Sequence, residues 1–87
     1  MQTFMYTIKI PLGLHARHAG MLVKAVSAFE SKVTITRKDR SADASRILNL
    51  MGLGIKQGDL IRVDVEGPDE DLAAMKIKSY IWENFEK

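Results

Sequence analysis

Three segments of the chain alternate apolar with polar residues, which is the period of a β-strand that buries one face. These segments cover residues 3–10, 32–37 and 60–66. Lys38-Asp39 predicts a hairpin turn after the second segment, with a short returning strand over residues 40–43. The alternation assigns the following side chains to the core face of a sheet: Phe4, Tyr6, Ile8, Ile10, Val33, Ile35, Ile61, Val63 and Val65.

Three further segments carry apolar residues at helical spacing. We predict one helix over residues 16–29, and a brief one that opens at 44–46, ends near residue 53 and is capped by Asp43 or Ser45. A last helix follows Asp69, because the acidic residues 69–71 suit the positive end of a helix dipole. The inward stripes are Ala19, Leu22, Val23, Val26 and Phe29 in the first helix and Ala73, Ala74, Ile77, Ile81 and Phe85 in the last.

The predicted element order is therefore βαββαβα. Three helices and four strands in 87 residues are too few to cover both faces of a sheet. We predict an α+β fold, an open-faced β-sandwich in which a four-stranded antiparallel sheet carries three helices on one face. The length fits a single domain over residues 1–87.

Composition narrows the possible functions. The absence of cysteine excludes disulfides and thiolate metal sites. No apolar run approaches the about 20 residues of a membrane span, and residues 1–3 lack the basic and apolar regions of a signal peptide. We therefore expect a cytoplasmic protein that does not bind membranes. The net charge of +2, from 13 Lys and Arg against 11 Asp and Glu, is too small to indicate nucleic-acid binding.

The charges are unevenly distributed along the chain. A basic first half could steer an acidic partner, while an ordinary solvated surface explains the pattern equally well. The basic residues concerned are Arg17, Lys24, Arg37, Lys38, Arg40 and Arg46, and the acidic ones are Asp64, Glu66, Asp69, Glu70 and Asp71.

The junction between the first strand and the first helix is the candidate chemical site. His15 falls about where the N-cap of the helix is expected, and Arg17 follows two residues later. A helix start offers unpaired backbone N–H groups and a positive dipole end, and a guanidinium suits phosphate oxygens, so the junction can hold a phosphoryl group. The same field disfavours an imidazolium, which predicts a neutral His15 ring with a lone pair free to attack. The alternative is a plain capping or surface histidine.

Two motifs resemble those of a known family. Gly13-Leu14-His15-Ala16-Arg17 before an amphipathic helix resembles the phosphorylation site of HPr, the histidine phosphocarrier family of the phosphoenolpyruvate-dependent sugar phosphotransferase system. Residues 46–58 resemble that family's short-helix region, at the matching distance and without a gap. The resemblance covers nearly all of the chain and implies the same open-faced β-sandwich.

The resemblance also implies a mechanism. His15 would accept a phosphoryl group from phosphorylated enzyme I and pass it to a histidine on a sugar-specific IIA domain. The backbone of Ala16, Arg17 and His18, with the Arg17 side chain, would hold the phosphate. A stoichiometric carrier of this kind is not an enzyme, and it needs no metal, nucleotide or other cofactor.

A docking surface is predicted beside the histidine. A short helix on a sheet buries one side only, so we expect Leu50 and Leu53 to face inward. We expect Ile47, Leu48 and Met51 to be at least partly exposed, whereas the alternative places all five residues in the core. In the resembled family this region and the face beside the histidine dock donor and acceptor proteins. The residues assigned to docking are Gly20, Met21, Lys24, Ile47, Leu48 and Met51. The glycine either permits close approach of a partner or is a tolerated substitution.

Two positions depart from the family pattern. His18 stands where proline is usual; it either binds phosphate, alters the acceptor's acidity or is a simple surface substitution. Arg46 stands where the family's regulatory serine lies, and Ser45 next to it is about 100° away on a helix, so we expect that control to be absent. Leu12 replaces a residue that is often small and polar in the family. A metal held by His15 and His18 lacks a third ligand nearby.

Three rival functions follow from the same residues. The first is a regulatory paralogue that binds protein partners with little or no sugar phosphotransfer, against which the presence of both His15 and Arg17 argues. The second is a ferredoxin-like module that binds RNA or a small ligand, although the strands lack surface aromatics for base stacking. The third is an independent enzyme, for which no carboxylate pair or nucleophile–base arrangement is present.

Overall fold

The computed structural model describes residues 1–86, which form one antiparallel sheet and three helices. The strands are β1 (Gln2–Thr7), β2 (Lys32–Arg37), β3 (Arg40–Asp43) and β4 (Leu60–Glu66), and the helices are α1 (Ala16–Val26), α2 (Ile47–Met51) and α3 (Glu70–Asn84). The strand order in the sheet is β1-β4-β2-β3, and every neighbouring pair is antiparallel. The predicted βαββαβα order and the open-faced sandwich are confirmed.

The core lies between the sheet and the helices. The positions assigned to the inner face of the sheet are buried, apart from Phe4, which is partly buried. From α3 the buried residues are Ala73, Ile77 and Ile81, and Phe85 directly follows the helix. The predicted inward stripes are confirmed, although Val23, Phe29 and Ala74 are only partly buried. No helix within residues 1–86 is long and apolar enough to cross a bilayer.

The ends of three elements differ from the prediction. The short helix α2 covers Ile47–Met51 and not residues 44–53. β1 ends at Thr7 and not at Ile10, because Ile8 bonds to the 58–59 turn, donating to the Asp59 carbonyl (2.9 Å) and accepting from the Gly58 N–H (2.8 Å). The alternation of buried residues continues through Ile8 and Ile10 even though the regular ladder does not. α1 ends at Val26 and not at Phe29, where the Ser27 hydroxyl donates to the Lys24 carbonyl (2.6 Å).

The predicted caps of the short helix are wrong. The N-cap of α2 is Arg46, whose side chain makes no capping hydrogen bond. Asp43 instead closes a turn just before the helix, where its Oδ1 accepts from the Ser45 N–H (2.9 Å) and hydroxyl (2.7 Å). The hairpin between β2 and β3 is confirmed: Arg37 pairs with Arg40, and Lys38 takes a positive φ of 57°.

Candidate functional site

His15 is the N-cap of α1, as predicted, and its ring is exposed to solvent. Its side chain caps no backbone N–H, and the first helical hydrogen bond runs from the Ala19 N–H to the His15 carbonyl (2.8 Å). The amides of Ala16, Arg17 and His18 precede that bond, so they remain available to a ligand. Arg17 is exposed and takes part in no ion pair within residues 1–86. An anion placed beside the ring therefore meets three donors, a dipole and a free cation.

Gly13 fixes the approach to His15. It has φ of +70°, and a Cβ at this position would lie 2.4 Å from the Ile55 carbonyl oxygen and 2.8 Å from the Lys56 Cα. The neighbouring Leu14 is buried, and its N–H donates to that same Ile55 oxygen (3.1 Å). In the sequence Gly13 stands out only as the first residue of the motif around His15. In the fold it lets two backbones touch, which anchors the residue before His15.

The segment that Gly13 contacts is itself fixed by an ion pair. Asp59 Oδ2 accepts from the Lys56 N–H (2.8 Å) and from Arg37 Nε (2.6 Å), and Arg37 also donates to the Leu53 carbonyl (3.3 Å). The Lys56 N–H, followed by the Arg37 guanidinium, lowers the pKa of Asp59 below its ordinary value. Neither Asp59 nor Arg37 stands out in the sequence as a site residue, yet together they support the backbone beneath His15.

His18 is more than a surface substitution. Its partly buried ring meets Phe85 edge-on with centroids 5.1 Å apart, and it lies 6.4 Å from the His15 ring. Its Nδ1 is buried and has no hydrogen-bond partner within residues 1–86. Burial, followed by the charges of Arg17 and His15, lowers the pKa of His18 below the usual histidine value. Phe85 could not be linked to the site from sequence, because it lies near the other end of the chain.

The predicted docking residues are brought together on α1 and α2. Leu48 is 79% exposed, and Ile47 and Met51 are also exposed, while Leu50 and Leu53 are buried as expected. Gly20 lies against this surface, since a Cβ added there would be 3.7 Å from Ile47 Cδ1. The alternative that all five apolar residues of the short helix are core is therefore wrong.

The two remaining docking positions differ from each other. Lys24 is exposed on α1. Met21 is only partly buried and packs against the core, so it offers a partner less surface than expected.

Arg46 and Ser45 both precede α2, so the angle between them on a helix has no bearing here. Arg46 is exposed at the N-cap position, and the Ser45 hydroxyl donates to Asp43. Within residues 1–86, no three His, Cys, Asp or Glu side chains come together as a metal site requires.

Comparisons with known proteins agree with this geometry. The family described as "PTS HPr component phosphorylation site" matches residues 2–83. A phosphocarrier protein HPr from Lysinibacillus sphaericus is 41% identical over 73 residues, which are 84% of this chain and 83% of that protein. The histidine-containing phosphocarrier protein of a Mycoplasma superposes with a TM-score of 0.90 at 34% identity, over 94% of this chain and 93% of that one. An HPr structure from Thermoanaerobacter tengcongensis gives 0.92 at 31% identity, over 100% and 98% of the two chains. The chain belongs to the HPr family of the phosphotransferase system.

Proposed function

We propose that this chain is a single-domain phosphocarrier of the phosphotransferase system, with His15 as the phosphoryl acceptor. The observation that carries the proposal is the placement of an exposed, uncapped histidine ring at the N-cap of α1. The free amides of the first helical turn and the unpaired Arg17 lie beside it. The relatives that this chain matches are HPr phosphocarrier proteins, which supports the proposal.

The transfer step needs only the ring and its surroundings. A lone pair on a His15 ring nitrogen attacks the phosphorus, so that a new P–N bond forms while the donor's bond to phosphorus breaks. The hydrogen on the other ring nitrogen stays in place, so the ring becomes cationic. The three amides and Arg17 donate to the phosphoryl oxygens. Because the ring is open to water and the donors are few, the phosphoryl group is steadied without being trapped. The second transfer reverses these bonds on an acceptor nucleophile.

Enzyme I as donor and sugar-specific IIA domains as acceptors fit this surface. Each of these proteins must bring a reacting group to His15. The exposed apolar residues of α2 near His15 offer a surface on which the partner can pack. Gly20 leaves α1 without a side chain next to Ile47, which widens the approach. The proposal places the protein in the cytoplasm, where it would serve these partners and any regulatory protein that uses the same face. The chain takes up and hands on the phosphoryl group as a stoichiometric intermediate, so it is not itself an enzyme.

A complete transfer cycle tests the proposal. The protein is incubated with phosphoenolpyruvate and enzyme I, and intact mass shows whether one phosphoryl group is gained. Addition of a IIA domain should then remove it. His15→Ala should gain none, and His18→Ala should still be labelled. Failure of the wild-type chain to be labelled under conditions that label another HPr, or labelling that survives His15→Ala, contradicts the proposal.

A further inference from the structure

The ring of His18 lies between the proposed acceptor and the end of α3. Its centroid is 6.4 Å from that of His15 and 5.1 Å from that of Phe85, with interplanar angles of 73° and 81°. Neither imidazole donates to the other. The two rings are therefore close enough for a charged group bound to one to change the electrostatic potential at the other.

The buried Nδ1 of His18 makes this ring sensitive to what binds next to it. A buried nitrogen without a partner is costly, and a charged imidazolium with that nitrogen protonated is costlier still. In the free protein the surroundings add two further penalties, because Arg17 and His15 both lie close to the ring. Burial and these two charges therefore disfavour the imidazolium form of His18 in the free protein.

A phosphoryl group on His15 would favour the imidazolium form of His18. It brings a charge of about −1.5 to −2 and three acceptor oxygens, while the His15 ring becomes cationic, so the net change in charge at His15 is about −0.5 to −1. This net negative charge offsets the positive charge of Arg17, and the phosphoryl oxygens add hydrogen-bond acceptors beside a ring whose Nδ1 has no partner within residues 1–86.

We propose that His18 takes up a proton when His15 is phosphorylated, so that phosphoryl transfer through this chain is coupled to pH. This inference rests on the proposed function. The P–N bond forms at His15 as described above, and the proton that His18 gains comes from water. In the second transfer the phosphoryl group leaves and the proton returns to solvent.

Among residues 1–86, few other charges face the His18 ring. From α1 these are Arg17 and His15, together with the positive end of the helix dipole, and all of them oppose protonation. From the end of α3, Phe85 contributes an uncharged ring, and the exposed Glu86 beyond it pairs with Lys9 (3.3 Å). The phosphoryl group is therefore the largest change in charge that the ring experiences.

The expected rise in the pKa of His18 follows from the distance between the two rings. With the ring centroids 6.4 Å apart, a net charge of about −0.5 to −1 raises the pKa of His18 by about 0.2–0.5 unit in bulk water. At an effective dielectric constant of about 20, which is typical near a protein surface, the rise is about 1–2 units. By linkage, a protonated His18 favours the phosphorylated form by the same factor. At a fixed ratio of phosphorylated to free enzyme I, protonation of His18 should therefore raise the ratio of phosphorylated to free protein about tenfold as the pH falls. The rise should lie between the pKa of His18 in the phosphorylated protein and its lower pKa in the free protein.

The experiment follows the two imidazole rings by NMR. The chain has only two histidines, so both ring systems can be assigned and titrated in free and phosphorylated protein. Phosphorylation is carried out both with phosphoenolpyruvate and enzyme I and with phosphoramidate, which transfers its phosphoryl group to an imidazole nitrogen and releases ammonia. Mass mapping identifies the labelled ring. We expect the pKa of His18 to rise by about one unit or more when His15 carries the phosphoryl group.

The outcomes separate this inference from the proposed function. A His18 titration that moves by less than a few tenths of a unit overturns the coupling and leaves the carrier function intact. If phosphoramidate labels His15 but enzyme I does not, the carrier proposal fails, and the titration of the chemically labelled protein still decides the coupling. If neither reagent labels His15, both are overturned.

A matched variant supplies the second readout. His18→Gln keeps a polar side chain of similar size but cannot become cationic. The exchange equilibrium with phosphorylated enzyme I is measured between about pH 5 and 8 for both proteins. The equilibrium constant of the wild-type protein divided by that of the variant should rise about tenfold towards low pH. Titration of the phosphoryl group and of enzyme I affects both constants alike and cancels in this quotient. A quotient that does not depend on pH contradicts the coupling. This is the result expected if His18 has only a structural role, because such a role would change the equilibrium constant equally at every pH.

Discussion

Replacing Gly13 with alanine tests how the fold anchors the acceptor histidine. The added Cβ would lie 2.4 Å from the Ile55 carbonyl oxygen and 2.8 Å from the Lys56 Cα. Both neighbours are backbone atoms, so they cannot rotate away as a side chain would. Either the 55–56 segment or the residues that lead into α1 must move.

The cost has three parts. A non-glycine residue at φ of +70° costs about 1–2 kcal/mol. Forcing an extra carbon into a filled space costs typically 1–3 kcal/mol. Separating the segments also weakens the 3.1 Å hydrogen bond from Leu14 to Ile55, which contributes about 0.5–1.5 kcal/mol. We expect Gly13→Ala to lower the free energy of unfolding by about 3–5 kcal/mol.

Gly54→Ala is the matched control. Gly54 has nearly the same φ, +65°, but a Cβ there meets nothing within 4 Å. It should lose only the conformational part, about 1–2 kcal/mol. Urea denaturation followed by circular dichroism gives both free energies of unfolding, and the rate of His15 phosphorylation at low denaturant shows whether the site has moved. Equal losses in the two variants would refute the proposed contact, as would a Gly13→Ala protein that is phosphorylated at the wild-type rate despite a large loss of stability.

Four other substitutions give distinct outcomes. Arg17→Ala should slow phosphorylation about 10–100-fold, the loss of one charge-assisted hydrogen bond, with unfolding changed by less than about 0.5 kcal/mol because the side chain is exposed; stopped-flow transfer and urea denaturation measure the two effects. Leu48→Ser, at a position 79% exposed, should leave stability within about 0.5 kcal/mol and weaken enzyme I binding about tenfold or more in calorimetry. Gly20→Ala should stabilise the protein by up to about 1 kcal/mol, since its Cβ meets Ile47 at an ordinary 3.7 Å, and should reduce transfer if partners approach there; unchanged transfer would show that they do not. The folded-state pKa of Asp59 is depressed, so its carboxylate contributes stability that is fully present above the ordinary aspartate pKa and is lost as the pH falls from there through the lower folded-state pKa. Asp59→Asn should flatten this part of the wild-type stability–pH curve, which urea denaturation at a series of pH values measures.

Periodicity predicted the elements because burial alternates wherever one face of a strand meets the core. It also assigned Ile8 and Ile10 to the core correctly, although the regular strand stops at Thr7. The end of the strand depends on hydrogen bonds to the 58–59 turn, and such long-range pairing leaves no mark on the local pattern. The early end of α1 at Val26 depends likewise on a side-chain hydrogen bond from Ser27.

The candidate site likewise combines local features, which the sequence predicts, with contacts between distant segments, which it does not. His15 and Arg17 could be located from sequence, because a helix start, a histidine and a cation are local features. The contact of Gly13 with Ile55 and that of His18 with Phe85 could not, because each joins segments far apart in the chain. The cap of α2 was missed because Asp43 bonds to Ser45 before the helix, and both candidate capping side chains are thereby occupied.

The most direct test is to detect the phosphorus–nitrogen bond itself. The protein, with ¹⁵N-labelled histidines, is phosphorylated by enzyme I and phosphoenolpyruvate, and scalar coupling between phosphorus and ring nitrogen is recorded for each imidazole. We expect coupling to one ring nitrogen of His15 and none to His18. Coupling to His18, or a phosphoryl group attached to neither ring, would contradict the assignment of the helix N-cap as the place where this chain carries phosphate.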